Sequence, residues 1–112
     1  EHAHLYTELL KDTPAKTPTE LPENNPVYHL YVISTPNRDE LQAWLKDNGI
    51  FTGIHYPIPL HLQKSMEYLG YKRGDFPVTE QVTSQILSLP MFAELTDDEI
   101  YIVVKAIRAF YK

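Results

Sequence analysis

"VYHLYVIS", residues 27–34, runs directly into "TPNRDELQAWLKDNG", residues 35–49, and this pair decides the fold class. The first stretch is dense in β-branched and aromatic side chains and long enough for a central strand. Alternation puts Tyr28, Leu30 and Val32 on one face and Val27, His29, Tyr31 and Ile33 on the other. Both faces are largely apolar, so both are expected to be covered. His29 reads either as a hydrogen-bonded core residue or as a catalytic group. The second stretch is a punctuated helix. Asn37 can cap its free amides while Glu40, three residues on, reaches back to complete a capping box. Leu41, Trp44 and Leu45 form the i, i+3, i+4 stripe that packs on a sheet, and Gly49 is a left-handed stop. "IFTGIHY", residues 50–56, then returns as a short second strand, which makes one strand–helix–strand unit.

On the N-terminal side, "EHAHLYTELLKD" carries Leu5, Tyr6, Leu9 and Leu10 on one helical face that needs a partner surface. The chain opens without methionine inside this pattern, so it reads as a piece of a longer protein. Pro14, Pro18, Pro22 and Pro26 follow at four-residue spacing; they cannot continue a helix or donate to a central strand, and mark an extended connector. On the C-terminal side, "LHLQKSMEYL" (60–69) predicts a short helix ending at Gly70, with Leu62, Met66 and Leu69 inward. "YKRGD" is a turn. "FPVTEQVTSQI" (76–86) predicts a helix with Val78, Val82 and Ile86 along one face, and "LSLPM" (87–91) a brief strand. Thr96 with Glu99 is a second capping box, opening a helix whose stripe is Ile100, Val103, Val104, Ile107 and Tyr111. Lys105, Arg108 and Lys112 lie toward its C-terminus, where positive charge is favoured.

Composition narrows the function classes. A chain of 112 residues with 43 % hydrophobic and 22 % charged side chains is one small domain with a single core. A net charge of −5 with scattered basic residues argues against a nucleic-acid face, and no apolar run approaches a membrane span. The absence of cysteine removes disulfides and thiolate metal sites and fits a cytoplasmic protein.

"GIHYPIPLH", residues 53–61, is the segment with chemistry to offer. Metal binding by His55 and His61 would need the intervening residues to fold back and a third ligand such as His29. No serine sits in a nucleophile elbow, the acidic residues crowd helix starts and turns, and the four glycines are isolated, so no phosphate loop exists. Pro57 and Pro59 hold Tyr56 and Ile58 extended, so the segment loses little entropy on binding; imidazole and phenol can hydrogen-bond hydroxyls, carbonyls and phosphates. From the residues alone, a ligand wall and a stiff turn with packed histidines stand equal.

In order and spacing, "VYHLYVI", "NRDELQAWLKDNGIFTGIHYPIPLHLQ", "LGYKRGDFPVTEQVTSQILSLPMFAELTDDEI" and the closing helix resemble the C-terminal region of the DegT/DnrJ/StrS family of pyridoxal-phosphate-dependent sugar aminotransferases, over residues 5 to 111. The resemblance implies the small C-terminal domain of a fold-type I enzyme, α+β, with an antiparallel sheet of about three strands and helices packed on it. Residues 1–12 would end an interdomain helix, 13–26 form the proline-rich connector and 27–112 the α+β core. The implied activity is amino transfer, usually from glutamate, to a keto-sugar nucleotide in a homodimer. Pyridoxal phosphate and its Schiff-base lysine would sit in an N-terminal domain outside this chain. The resemblance puts His55, Tyr56 and His61 on the substrate side of the active site, with no catalytic, cofactor-binding or metal-binding residue in the 112 and no activity from them alone. Members also named as regulators leave a non-catalytic regulatory or binding module as the alternative.

Overall fold

The computed structural model describes residues 1–112, and its elements follow the order α1 (His2–Leu10), β1 (Tyr31–Ser34), α2 (Arg38–Asp47), two 3₁₀ turns (Leu60–Leu62 and Lys64–Leu69), α3 (Pro77–Gln85), β2 (Ile86–Leu89) and α4 (Asp97–Phe110). The two strands pair antiparallel, with Tyr31 opposite Leu89 and Ile33 opposite Leu87. Because side chains alternate, these four residues share one face, and all four are buried. Against them pack Tyr6 and Leu10 of α1, Leu41 and Leu45 of α2, and Ile100, Val103, Val104 and Ile107 of α4, in one core. Each fully buried aliphatic side chain contributes about 1.5–3 kcal/mol. α4 carries the most core residues, and its Thr96–Glu99 capping box forms in both directions as expected.

The sheet is narrower than about three strands. It has two strands, flanked by single bridges: Lys16 with Ser34 on the β1 edge and Gly53 with Ser88 on the β2 edge. The expected strand at residues 50–56 contributes only Gly53. Continued from Gly53 and Ser88, the antiparallel register would set Phe51 opposite Pro90, which has no amide hydrogen to donate, and the His55 side chain turns onto Ser88. β1 likewise begins four residues later than expected. Tyr28 lies at φ 52°, outside strand geometry, with its hydroxyl donating to the Glu20 carboxylate. Val27 is consequently 94 % exposed and His29 is also exposed, so His29 is not a core residue. The helices cover one face of the sheet through the common core, while the other face carries Val32, Ile86 and Ser88.

Other differences have local causes. Asn37 precedes α2 but its side chain makes no capping bond. Trp44 lies at the edge of the packed stripe, its indole Nε1 donating to the Ala106 carbonyl at 2.9 Å, and Arg38 takes the third buried position of α2 instead. The Arg38 Nη1 donates to the carbonyls of Thr83 and Ile86 at 3.1 and 3.0 Å, tying the end of α3 to the start of α2. Residues 60–69 form 3₁₀ turns rather than a helix, stopped at Gly70 in the left-handed region (φ 74°). Leu62 and Met66 are half-buried and Leu69 is exposed there. α3 forms, yet its apolar face is open: Val78 is 72 % exposed and no residue of α3 is buried. The core also takes in Ala3, Tyr6, Leu10 and Ala15, so α1 and the start of the proline-rich segment pack together with residues 27–112.

Candidate functional site

The loop 53–61 leaves the open edge of β2. Gly53 and Ser88 exchange both backbone hydrogen bonds, at 3.1 and 2.7 Å, which anchors the loop to the strand at one residue pair. Two residues on, His55 Nδ1 lies 2.8 Å from Ser88 Oγ, and the imidazole lies against the Gly53 backbone. A Cβ at position 53 would meet His55 Cε1 at 2.9 Å, so this ring position needs glycine. Tyr56 stands edge-on to His55, with centroids 5.7 Å apart, and is 71 % exposed. Ile58 and Leu60 are exposed as well, which makes this stretch a partly apolar surface with an imidazole and a phenol at its head.

His61, expected beside them, is turned inward. Its Nε2 lies 2.8 Å from Glu80 Oε1, and its ring packs on Phe76 at 4.8 Å. Glu80 also accepts the Gly74 amide through both oxygens, at 2.8 and 3.1 Å. The hydrogen bond from His61, followed by that from the Gly74 amide, holds the Glu80 carboxyl below its usual range. Histidine, glutamate and the 72–75 turn thus form a brace beneath a shallow cavity of about 290 Å³, lined by Leu60, Met66, Leu69, Tyr71 and Phe76. His55 and Tyr56 are brought together; His55 and His61 have different partners and do not converge. A larger cavity, about 560 Å³, lies elsewhere, beside the start of α1 and residues 25–29, where His4 and Tyr28 are already bonded to Glu20.

The exposed pair can hydrogen-bond oxygen-rich ligands; His61, bonded to Glu80, ties the end of the loop to α3 and the 72–75 turn. Sequence reasoning passed over Ser88 and Glu80. Ser88 sits between two core leucines in "LSLP", so period-2 alternation sends it to the face where the loop lies, and that was its signal. Glu80 sits in the first turn of α3, where an acid is explained by the helix end alone, and nothing local in the sequence points to His61.

The sequence model of the DegT/DnrJ/EryC1/StrS aminotransferase family matches residues 1–108. The chain belongs to this family. Among its relatives is a protein of Geobacillus stearothermophilus named pleiotropic regulatory protein, 45 % identical over 100 % of this chain and 31 % of its own length. Another is the dTDP-3-amino-3,6-dideoxy-alpha-D-galactopyranose transaminase of Aneurinibacillus thermoaerophilus, 34 % identical over 98 % of this chain and 30 % of its own. Of solved structures, DesV of S. venezuelae, crystallised in complex with a ketimine intermediate, superposes with a TM-score of 0.94 at 32 % identity, over 99 % of this chain and 30 % of that one. The chain therefore spans about 30 % of the length of these relatives. Its fold, helices on a small antiparallel sheet, is one found in family members.

The family is pyridoxal-phosphate-dependent, which requires a lysine able to form a Schiff base, normally one desolvated so that its amine is free at neutral pH. The residues present do not fit that role. Lys11, Lys16, Lys46, Lys64, Lys72, Lys105 and Lys112 are all exposed, and the hydrogen bond from Lys11 to Glu8 raises its pKa rather than lowering it. No helix is long and apolar enough to cross a membrane.

Proposed function

We propose that this chain is the small C-terminal domain of a nucleotide-sugar aminotransferase, which moves an amino group from an amino acid, glutamate, to a keto-sugar nucleotide. The observation that carries the reading is the match of essentially the whole chain, at 32 % identity, to under a third of a sugar aminotransferase structure. A segment of that proportion fits a structural part of the enzyme, with the pyridoxal phosphate and its lysine supplied by a preceding domain and the site completed in a homodimer. In this reading His55 and Tyr56 form the sugar-nucleotide wall and Pro57 and Pro59 keep it extended. His61, through Glu80, fixes the far end of the wall. Imidazole and phenol suit a ligand rich in hydroxyl and phosphate oxygens because they bond it without burying an unpaired charge.

The test is the longer protein containing this chain, supplied with pyridoxal phosphate, glutamate and a set of keto-sugar nucleotides. The reading expects an amino sugar nucleotide as product and one lysine trapped by borohydride, located outside these 112 residues. Trapping of a lysine within them, or a cofactor-loaded protein inert toward every sugar nucleotide, would overturn it. A regulatory module is the second reading, favoured by the name of the 45 % identical relative. A DNA-binding domain in place of a lysine-bearing cofactor domain upstream would support it.

A further inference from the structure

Ser88 lies on the face of β2 opposite the core, is 4 % exposed, and is held by its backbone to Gly53. Its hydroxyl has one partner, His55 Nδ1 at 2.8 Å. Two arrangements of protons satisfy that distance in a neutral ring, and they differ in what is left over. If Nδ1–H donates to the hydroxyl oxygen, the buried hydroxyl hydrogen has no acceptor, and Nε2 faces outward as a base. If the hydroxyl donates to Nδ1, every buried polar hydrogen is used and Nε2 carries the ring proton. A buried unpaired donor costs more than an unfilled oxygen lone pair, so the second arrangement is favoured.

We infer that Ser88 is a positioning residue for the loop: its hydroxyl donates to Nδ1, fixes His55 as the Nε2–H tautomer, and so presents a hydrogen-bond donor to the ligand. Gly53 completes the arrangement by leaving room for the ring, where a Cβ would meet Cε1 at 2.9 Å. A ring held in this way can donate to an acceptor oxygen such as a phosphate, carbonyl or hydroxyl oxygen. It is not set up to remove a proton through Nε2. That His55 meets the sugar nucleotide rests on the substrate-wall reading above; the tautomer itself does not.

The 112-residue chain, labelled with ¹⁵N at histidine, reports the tautomer directly through the two ring-nitrogen shifts, with His55 assigned by its loss in His55→Gln. The wild-type spectrum is expected to show the Nε2–H form, Ser88→Ala a mixture of both forms, and Ser88→Thr, which keeps the hydroxyl, the wild-type form. An Nδ1–H ring in wild type, or an unchanged ring in Ser88→Ala, overturns the inference. In the longer protein, Ser88→Ala should raise KM for the sugar nucleotide about 3- to 10-fold, as loss of one oriented hydrogen bond would, with the amino-donor half-reaction unchanged and Ser88→Thr near wild type. The expected tautomer with an unmoved KM overturns Ser88's role in recognition. A protein without sugar-nucleotide activity overturns the substrate-wall reading instead.

Discussion

Replacing Tyr6 tests whether α1 belongs to this domain's core. Its side chain is fully buried, stacks on Tyr31 at 5.0 Å with 24° between ring planes, and donates its hydroxyl to the Pro90 carbonyl at 3.0 Å. Tyr6→Phe keeps the ring and removes the donor. Pro90 is only half-buried, so water can partly replace the bond and the cost is about 1–1.5 kcal/mol, in the lower part of the range for an orphaned carbonyl. Tyr6→Ala also empties the ring's space and ends the stack. Large-to-small aromatic substitutions cost about 3–5 kcal/mol, and the lost hydroxyl brings the sum to roughly 4–6 kcal/mol. A domain of 112 residues has about 6–17 kcal/mol to lose, so the alanine variant forfeits roughly a quarter of its stability or more. In urea unfolding followed by circular dichroism, with a slope of about 2 kcal/mol per molar, Tyr6→Phe lowers the midpoint by roughly half a molar unit. Tyr6→Ala lowers it by about 2–3 M or leaves the chain unfolded at the start. An alanine variant with the wild-type midpoint and slope would mean that α1 is not docked, and would refute the packing described above.

Further expectations follow from the caps and the buried brace. Thr96→Ala, which removes the hydroxyl that accepts the Glu99 amide but leaves the residue-96 amide to donate to the Glu99 carboxylate, should cost about 1 kcal/mol in thermal or urea unfolding, whereas Asn37→Ala should stay within about 0.5 kcal/mol because its side chain makes no capping bond. For Glu80 the folded carboxyl holds its proton less tightly than the unfolded one. Its contribution is therefore complete above the unfolded carboxylate value, near 4.5, and is lost as pH falls through the lower folded value. Tm measured from about pH 6 to about pH 3 should fall less steeply for Glu80→Gln than for wild type, from a lower starting point. Equal slopes would show that the His61–Glu80 contact has no weight.

Periodicity and capping were good guides along α4: the stripe Ile100, Val103, Val104 and Ile107 is buried as patterned, and the Thr96 box forms in both directions, whereas the equally spaced Asn37 and Glu40 make no such box. The same rules failed where the decisive partner is remote. Val27 and Tyr28 have strand propensity, but Tyr28 is bonded to Glu20 in the connector. Val78 and Val82 have helical spacing, but this chain supplies nothing to cover them. The site divides in the same way. Nearby prolines and aromatic residues mark His55 and Tyr56 as a stiff exposed pair, whereas the inward turn of His61 depends on Glu80, nineteen residues away. The pairing of His55 with Ser88 spans thirty-three residues, beyond the reach of any local pattern.

The wall itself is tested most directly by His55→Ala combined with Tyr56→Ala in the longer protein, with the two half-reactions followed separately. Loss of two ligand hydrogen bonds predicts a rise in KM for the keto-sugar nucleotide of roughly 5- to 100-fold, while the half-reaction with the amino donor keeps its wild-type rate. An unchanged KM for the sugar nucleotide, or an equal loss in both half-reactions, would contradict the assignment of this loop to the substrate side.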